Sequence, residues 1–248
     1  MDCSDSSFET FFNVVNGECR GAVNFKNGID LSTGEKLWDW SVTSTKDLEE
    51  AVQFANNVFK LWSRNPIEER AENIRRWKES YKWYIENFTT LLIAECGKTR
   101  ALAAGEANEV ISLFDHHLQL RIPEERIEDD HRIITPRYVP VGVVAAICPW
   151  NFPIILAMGK ILAAVLSGCC IIVKPSPFTP YSALKLVELA QPFFPPGVIQ
   201  VLSGDDYLGP ALVSHPDIHK ISFTRSGATG KKIMQCAVAT MKRVTLEL

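Results

Sequence analysis

The sequence predicts an α/β protein: an open parallel sheet preceded by N-terminal helices, with a protruding strand pair between the two parts. Three observations predict it. From Val139 onward, short apolar runs rich in valine and isoleucine alternate with helical stretches across short turns, the pattern of parallel βαβ units covered on both faces. Between Ser44 and Leu118, apolar residues recur at helical spacing. Between these parts, Ile122 to Tyr138 is charged, with β-type pieces only around Ile127 and Ile133-Ile134, and reads as an exposed arm. The expected divisions are therefore residues 1–121, 122–139 and 140–248.

In order, Phe11 to Val15 is a short apolar run ending at Asn16-Gly17, a hairpin signal, and Leu31 to Gly34 is a second turn. Ser44 or Thr45 can cap a helix, with Asp47, Glu49 and Glu50 favoured by its dipole and Leu48, Ala51, Val52, Ala55, Val58, Phe59 and Trp62 recurring at helical spacing. Pro66 opens a second helix, expected to run to about Phe88. A third covers Leu91 to Glu95 and stops at Gly97. A fourth spans about Ala101 to Leu118, with Val110, Leu113, Phe114 and Leu118 on one face. Strand Val141–Cys148 stops at Pro149, which cannot donate to a ladder, and Pro153 suits the first turn of a helix to about Leu166. Strand Cys170–Val173 ends at Lys174-Pro175, and Pro180 opens a helix to about Ala190. Strand Val198–Leu202 ends at Ser203-Gly204, before a short helix over Leu208–Val213. Strand Lys220–Thr224 leads through Ser226-Gly227 to a helix expected to reach Met241, and Val244–Leu248 is a last strand.

Composition narrows the function classes. Hydrophobic residues at 46% and charged residues at 22% support a folded core. A net charge of −3 without a basic run argues against nucleic-acid binding. The N-terminus has no signal-peptide pattern, and seven cysteines without framework spacing suggest free thiols and a cytoplasmic location. Val139 to Val173 carries Lys160 as its only charge, but its prolines, Asn151, Ser167 and Gly168 deny it the apolar length of a membrane span. In an open α/β sheet ligands bind beyond the carboxyl ends of the strands, so Asn151, fixed in the turn after Pro149, is a candidate site group.

Pro149-Trp150-Asn151-Phe152-Pro153 resembles the aldehyde dehydrogenase superfamily, and other motifs agree in order: Lys174-Pro175-Ser176, Phe194-Pro195-Pro196-Gly197-Val198, His215-Pro216-Asp217, Lys220 to Thr224, and Thr245-Leu246-Glu247-Leu248. Asn16-Gly17-Glu18 and Ser32 to Glu35 fit the family's N-terminal part. The resemblance implies a Rossmann-like dinucleotide fold, with residues 122–139 as bridging or oligomerisation strands. It also implies oxidation of aldehydes to carboxylic acids with NAD or NADP, through a cysteine thiolate.

By this resemblance Asn151 is the oxyanion donor, since a pre-aimed amide stabilises charge developing on oxygen. Glu247 is the general base, a role suited to a carboxylate whose pKa desolvation raises. Lys174 holds the adenosine ribose, Trp150 lines the cofactor cleft, and Ser226 to Gly230 meet the pyrophosphate at a helix N-terminus. Cys148, Pro149, Ser176, Pro177, Gly204 and Arg225 complete the expected cofactor set. The bland readings are a turn asparagine, a solvent-facing strand glutamate, a surface lysine and a core tryptophan.

The sequence also departs from the family pattern. The family's nucleophile follows the Glu247 motif, and none of the seven cysteines lies in such a segment. Cys148, Cys169 and Cys170 read as inert, buried thiols. Pro177 stands where many members have a ribose-binding glutamate, and Arg225 where they have glycine. The chain thus reads as cut short before its catalytic domain and inactive alone. It would act on a small-molecule aldehyde, and as a possible homo-oligomer, only at full length. The alternatives are a non-enzymatic dinucleotide-binding module, a partner of full-length paralogues, or an unstable remnant. Competing motifs fail: Tyr181 to Lys185 has the Tyr-x-x-x-Lys spacing without a preceding glycine-rich fingerprint, Gly227 to Lys232 misses the phosphate-loop pattern, and His116-His117 lacks further ligands and reads as a solvated helix end.

Overall fold

The computed structural model describes residues 8–123 and 125–248. Strands β1 (Asn13–Val15) and β2 (Glu18–Arg20) form a hairpin closed by Asn16 and Gly17, both at positive φ as a tight hairpin turn requires. A second hairpin, β3 (Phe25–Ile29) and β4 (Lys36–Ser41), brackets the expected turn at Leu31 to Gly34. Its strands escaped the sequence reading because β3 is largely exposed and lacks a clean apolar alternation.

Helix α1 (Thr45–Trp62) begins with a reciprocal capping box between Ser44 and Asp47. Helix α2 (Ile67–Lys82) follows Pro66 and stops before the expected Phe88. The chain turns at Trp83-Tyr84, and α3 (Ile85–Cys96) starts there, not at Leu91. Tyr81, Tyr84 and Phe88 keep helical spacing across the break, so periodicity could not reveal it. Gly97 at φ 65° ends α3, and Thr99 caps α4 (Arg100–Gln119). The buried face of α4 is Ala103, Glu106, Ala107, Val110, Phe114 and His117, while Leu113 and Leu118 are half-buried. His117 is therefore not solvated: its Nδ1 lies 2.8 Å from the Leu113 carbonyl. Strands β5 (Ile127–Asp129) and β6 (Arg132–Ile134) form the expected exposed antiparallel pair.

The remaining elements alternate as the sequence predicts: β7 (Val143–Ile147), α5 (Pro153–Leu166), β8 (Cys170–Lys174), α6 (Tyr181–Ala190), β9 (Ile199–Val201), α7 (Leu208–Ser214), β10 (Lys220–Thr224), α8 (Gly227–Val238) and β11 (Arg243–Glu247). Two boundaries move by more than one residue. β7 begins after Gly142, whose φ of +119° breaks the strand geometry, and α8 ends before Met241, which sits at φ 50°.

One seven-stranded sheet runs β11-β10-β7-β8-β9-β1-β2. Its first five strands are parallel, and the β1-β2 hairpin adds antiparallel to β9. Helices α5 and α6 cover one face, backed by α2, α3 and α4; α1, α7 and α8 lie against the other. The five parallel strands were made in the chain order β7, β8, β9, β10, β11, so the direction of sheet growth reverses between β7 and β10. That reversal opens a crevice at their carboxyl ends.

Five cysteines (Cys96, Cys148, Cys169, Cys170 and Cys236) are free, but Cys19 is disulfide-bonded, so the expectation of free thiols fails there. Among the described residues no helix is long and apolar enough to cross a membrane, and no group of three or more His, Cys, Asp or Glu could hold a metal ion.

Candidate active site and dinucleotide cleft

A cleft of about 330 Å³ opens at the reversal point, within the range of small-molecule sites. Its floor is the strand ends, with Ile147 and Cys148 after β7, Lys174 and Ser176 after β8, and Phe223 and Arg225 after β10. Pro210 and Val213 of α7 face Ile233 of α8 across an apolar slot. Of the expected cofactor set, the fold brings together Cys148, Lys174, Ser176, Pro177 and Arg225. Thr229, within the expected Ser226 to Gly230 turn, also lines the cleft, while the sequence reading missed Asp205, Asp206 and Lys232, which lie in a turn or on a helix face and carry no motif of their own.

Lys174 is buried at the end of β8, and its Nζ donates to the Pro175 carbonyl at 3.3 Å. Burial lowers its pKa from the usual lysine value, with Arg225 acting in the same direction and Cys148, Asp206 and Asp205 opposing. Burial also pushes the Cys148 thiol up to about 12, consistent with an inert thiol.

The helix N-termini at this end of the sheet differ. Glu106 accepts the Ile154 and Ile155 N–H groups at 3.1 and 3.3 Å, so a carboxylate already occupies the start of α5. Glu95 does the same for α6, accepting from Tyr181 N at 3.0 Å and Ser182 N at 3.3 Å. Helix α8 is capped only by its own Ser226, has no acidic residue in its first turn, and adjoins Arg225 and Thr229 on the cleft. It is thus the one of these three where a ligand anion meets N–H groups free of a carboxylate.

Other expected residues lie elsewhere. Trp150 is half exposed rather than core, and its carbonyl accepts from Thr179 Oγ1 at 3.3 Å. Pro149 and the exposed Asn151 share its turn between β7 and α5. Gly204 is buried, where an added Cβ would lie 2.9 Å from Leu208. At Gly230 a Cβ would meet Leu248 at 2.8 Å, so this glycine serves the packing of α8 on the last strand.

Glu247 lines a separate groove of about 710 Å³ with Lys160, Lys220, Ser222, Arg243 and Thr245. Thr224 Oγ1 donates to its Oε2 at 2.5 Å, and Lys160 Nζ lies 3.4 Å away. The Thr224 hydrogen bond, ahead of opposing desolvation and the attraction of Lys160, lowers its pKa. The expected upward shift therefore does not occur: the side chain is 56% exposed, too solvated for burial to dominate.

The family model of the aldehyde dehydrogenase family matches residues 24–248. The chain belongs to this family. It is 47% identical to aldehyde dehydrogenase LUC3 of a Fusarium species over 97% of its own length and 51% of that protein's. It is 38% identical to the mitochondrial succinate-semialdehyde dehydrogenase of Arabidopsis thaliana, over 88% and 42% of the two chains. Its fold superposes on betaine aldehyde dehydrogenase from Staphylococcus aureus in complex with NAD+ with a TM-score of 0.92 at 27% identity, covering 96% of this chain and 50% of that one. An E. coli NADP dependent enzyme gives a TM-score of 0.92 at 30% identity, covering 99% and 53%. The aldehyde dehydrogenase family chain described here thus spans about half the length of the relatives it matches.

Proposed function

We propose that this chain is the dinucleotide-binding part of an NAD- or NADP-dependent aldehyde dehydrogenase. The observation that carries the reading is the cleft at the strand reversal, where buried Lys174 faces a slot floored by strand ends and flanked by a helix N-terminus without a carboxylate. The apolar walls from α7 and α8 suit the flat adenine ring, Lys174 and Ser176 the ribose, and Ser226 to Gly230 the pyrophosphate. Neighbours complexed with NAD+ and described as NADP dependent support this cofactor class.

When bound, the nicotinamide takes up the hydride that leaves the aldehyde carbon. The chain's contribution is to place Asn151 as an amide donor towards the developing oxyanion and to keep Glu247 ionised as a proton acceptor at neutral pH. Tested alone, the 248-residue polypeptide is expected to bind cofactor without oxidising aldehyde. Cys148 and Cys236 are the thiols on the cleft, Cys148 is protonated at neutral pH, and neither has the family's nucleophile sequence around it.

The test is calorimetric titration of the purified chain with NAD and NADP, beside Lys174→Met. Saturable binding weakened about tenfold or more by the substitution is expected, since a buried charge-assisted contact is lost. Binding of neither dinucleotide, or undiminished binding to the variant, would refute the cleft assignment.

A further inference from the structure

The turn that carries Asn151 is held from outside its own strand–helix unit. Phe152 precedes α5 but supplies no side-chain cap. The cap comes instead from Glu106 on α4, whose side chain is fully buried and accepts the Ile154 and Ile155 N–H groups. Its other oxygen pairs with Lys98 Nζ, which lies 4.2 Å from the centre of the Phe152 ring. Trp150, on the other side of Asn151, is tethered through its carbonyl by Thr179.

Helix α5 itself does not need so elaborate a cap. Its apolar residues are buried along its length, and a surface serine at Phe152 would satisfy one N–H group at less cost than burying a carboxylate and an ammonium. What the arrangement fixes is the position of the turn. The lysine clamps the ring next to Asn151, and the glutamate anchors both the lysine and the first N–H groups after the turn.

We infer that Glu106 and Lys98 together are positioning residues for Asn151, setting where its amide stands at the end of β7. The inference rests on the oxyanion role proposed for Asn151, but the tether itself can be measured without turnover. The probes are the Asn151 side-chain amide cross-peak in nuclear magnetic resonance spectra and amide hydrogen exchange at Ile154 and Ile155.

In Glu106→Ala, exchange at Ile154 and Ile155 is expected to rise at least tenfold and the Asn151 cross-peak to move. Glu106→Gln keeps an acceptor oxygen and should restore most of the protection. Lys98→Met should move the Asn151 cross-peak while leaving the two N–H groups protected. If Glu106→Ala does not fold, the other two variants decide. An Asn151 cross-peak unmoved in folded Glu106→Ala, or in both other variants, overturns the inference, as does a change spread evenly over α4, α5 and β7. Titration of the unaltered chain with NAD and NADP runs alongside. Its failure counts against the dinucleotide function and leaves the tether to be judged by the cross-peak.

Discussion

Single carboxylates set the chemistry of this end of the sheet, and two of them shift in opposite directions. Burial raises Glu95 from about 4.5 to about 7, despite hydrogen bonds from Ser182 and Tyr181 that favour the charged form. Between these two values the unfolded chain has released its proton and the folded chain has kept it. Stability therefore falls as pH rises from about 4.5 to 7 and then levels. Glu95→Gln keeps one acceptor oxygen, enough for both N–H groups because Oε2 alone accepts from Tyr181 N at 3.0 Å and Ser182 N at 3.4 Å, and should lack this loss, worth up to about 3 kcal/mol. Denaturant unfolding at pH 5 and pH 8 checks it, and equal pH slopes for both proteins would contradict the assignment. Lys174 and Asn151 were legible in the sequence because prolines pin them to strand ends. Glu95 and Glu106 were not: a glutamate on a helix normally belongs to its solvated face, and only packing of α3 and α4 against α5 and α6 turns these inward.

Elements dock through a few specific contacts. Tyr181, at the start of α6, accepts from Gly28 N at 2.6 Å and donates to the Trp38 carbonyl at 2.7 Å, joining the β3-β4 hairpin to the core. Tyr181→Phe should cost about 1–3 kcal/mol and leave the Gly28 N–H unpaired. The loss should appear as faster amide exchange across residues 25–41 with little change in β7 to β10; uniform exchange would sink the idea. At the start of β7, Gly142 takes φ +119°, and an added Cβ would lie 2.5 Å from His219 Nδ1, the atom that accepts from Val143 N. Gly142→Ala should therefore destabilise by roughly 2–4 kcal/mol through strain and a displaced imidazole. An unchanged denaturation midpoint would contradict this. The parallel units were legible because each strand is an apolar run closed by proline or glycine. The β3-β4 hairpin and the break between α2 and α3 were not, because the first has no alternation and the second keeps helical spacing through the turn.

For the whole molecule, cofactor and stability are coupled. A ligand that binds only the folded state adds about 2.7 kcal/mol at a hundred times its dissociation constant, or roughly 5–10 °C in melting temperature for a chain of this size. NAD or NADP should raise the melting temperature by this order, and Lys174→Met should abolish most of the rise. A melt insensitive to both dinucleotides would argue for a cleft that does not bind them. The overall architecture was legible because alternation of strand and helix leaves few connections open. Addition of the N-terminal hairpin to the far edge was not, since the short apolar run from Phe11 to Val15 carries no information about its partner.

That edge has a consequence for synthesis. Asn13 Oδ1 accepts from Ser203 N, and Val14 pairs with Val201, so the hairpin's neighbour in the sheet lies about 190 residues later in the chain. At ~5–20 residues per second, the ribosome needs roughly 10–40 s to make that neighbour. A two-stranded hairpin is marginal by itself. For that interval the nascent chain must carry an unpaired β edge, the species that chaperones capture and that aggregation exploits.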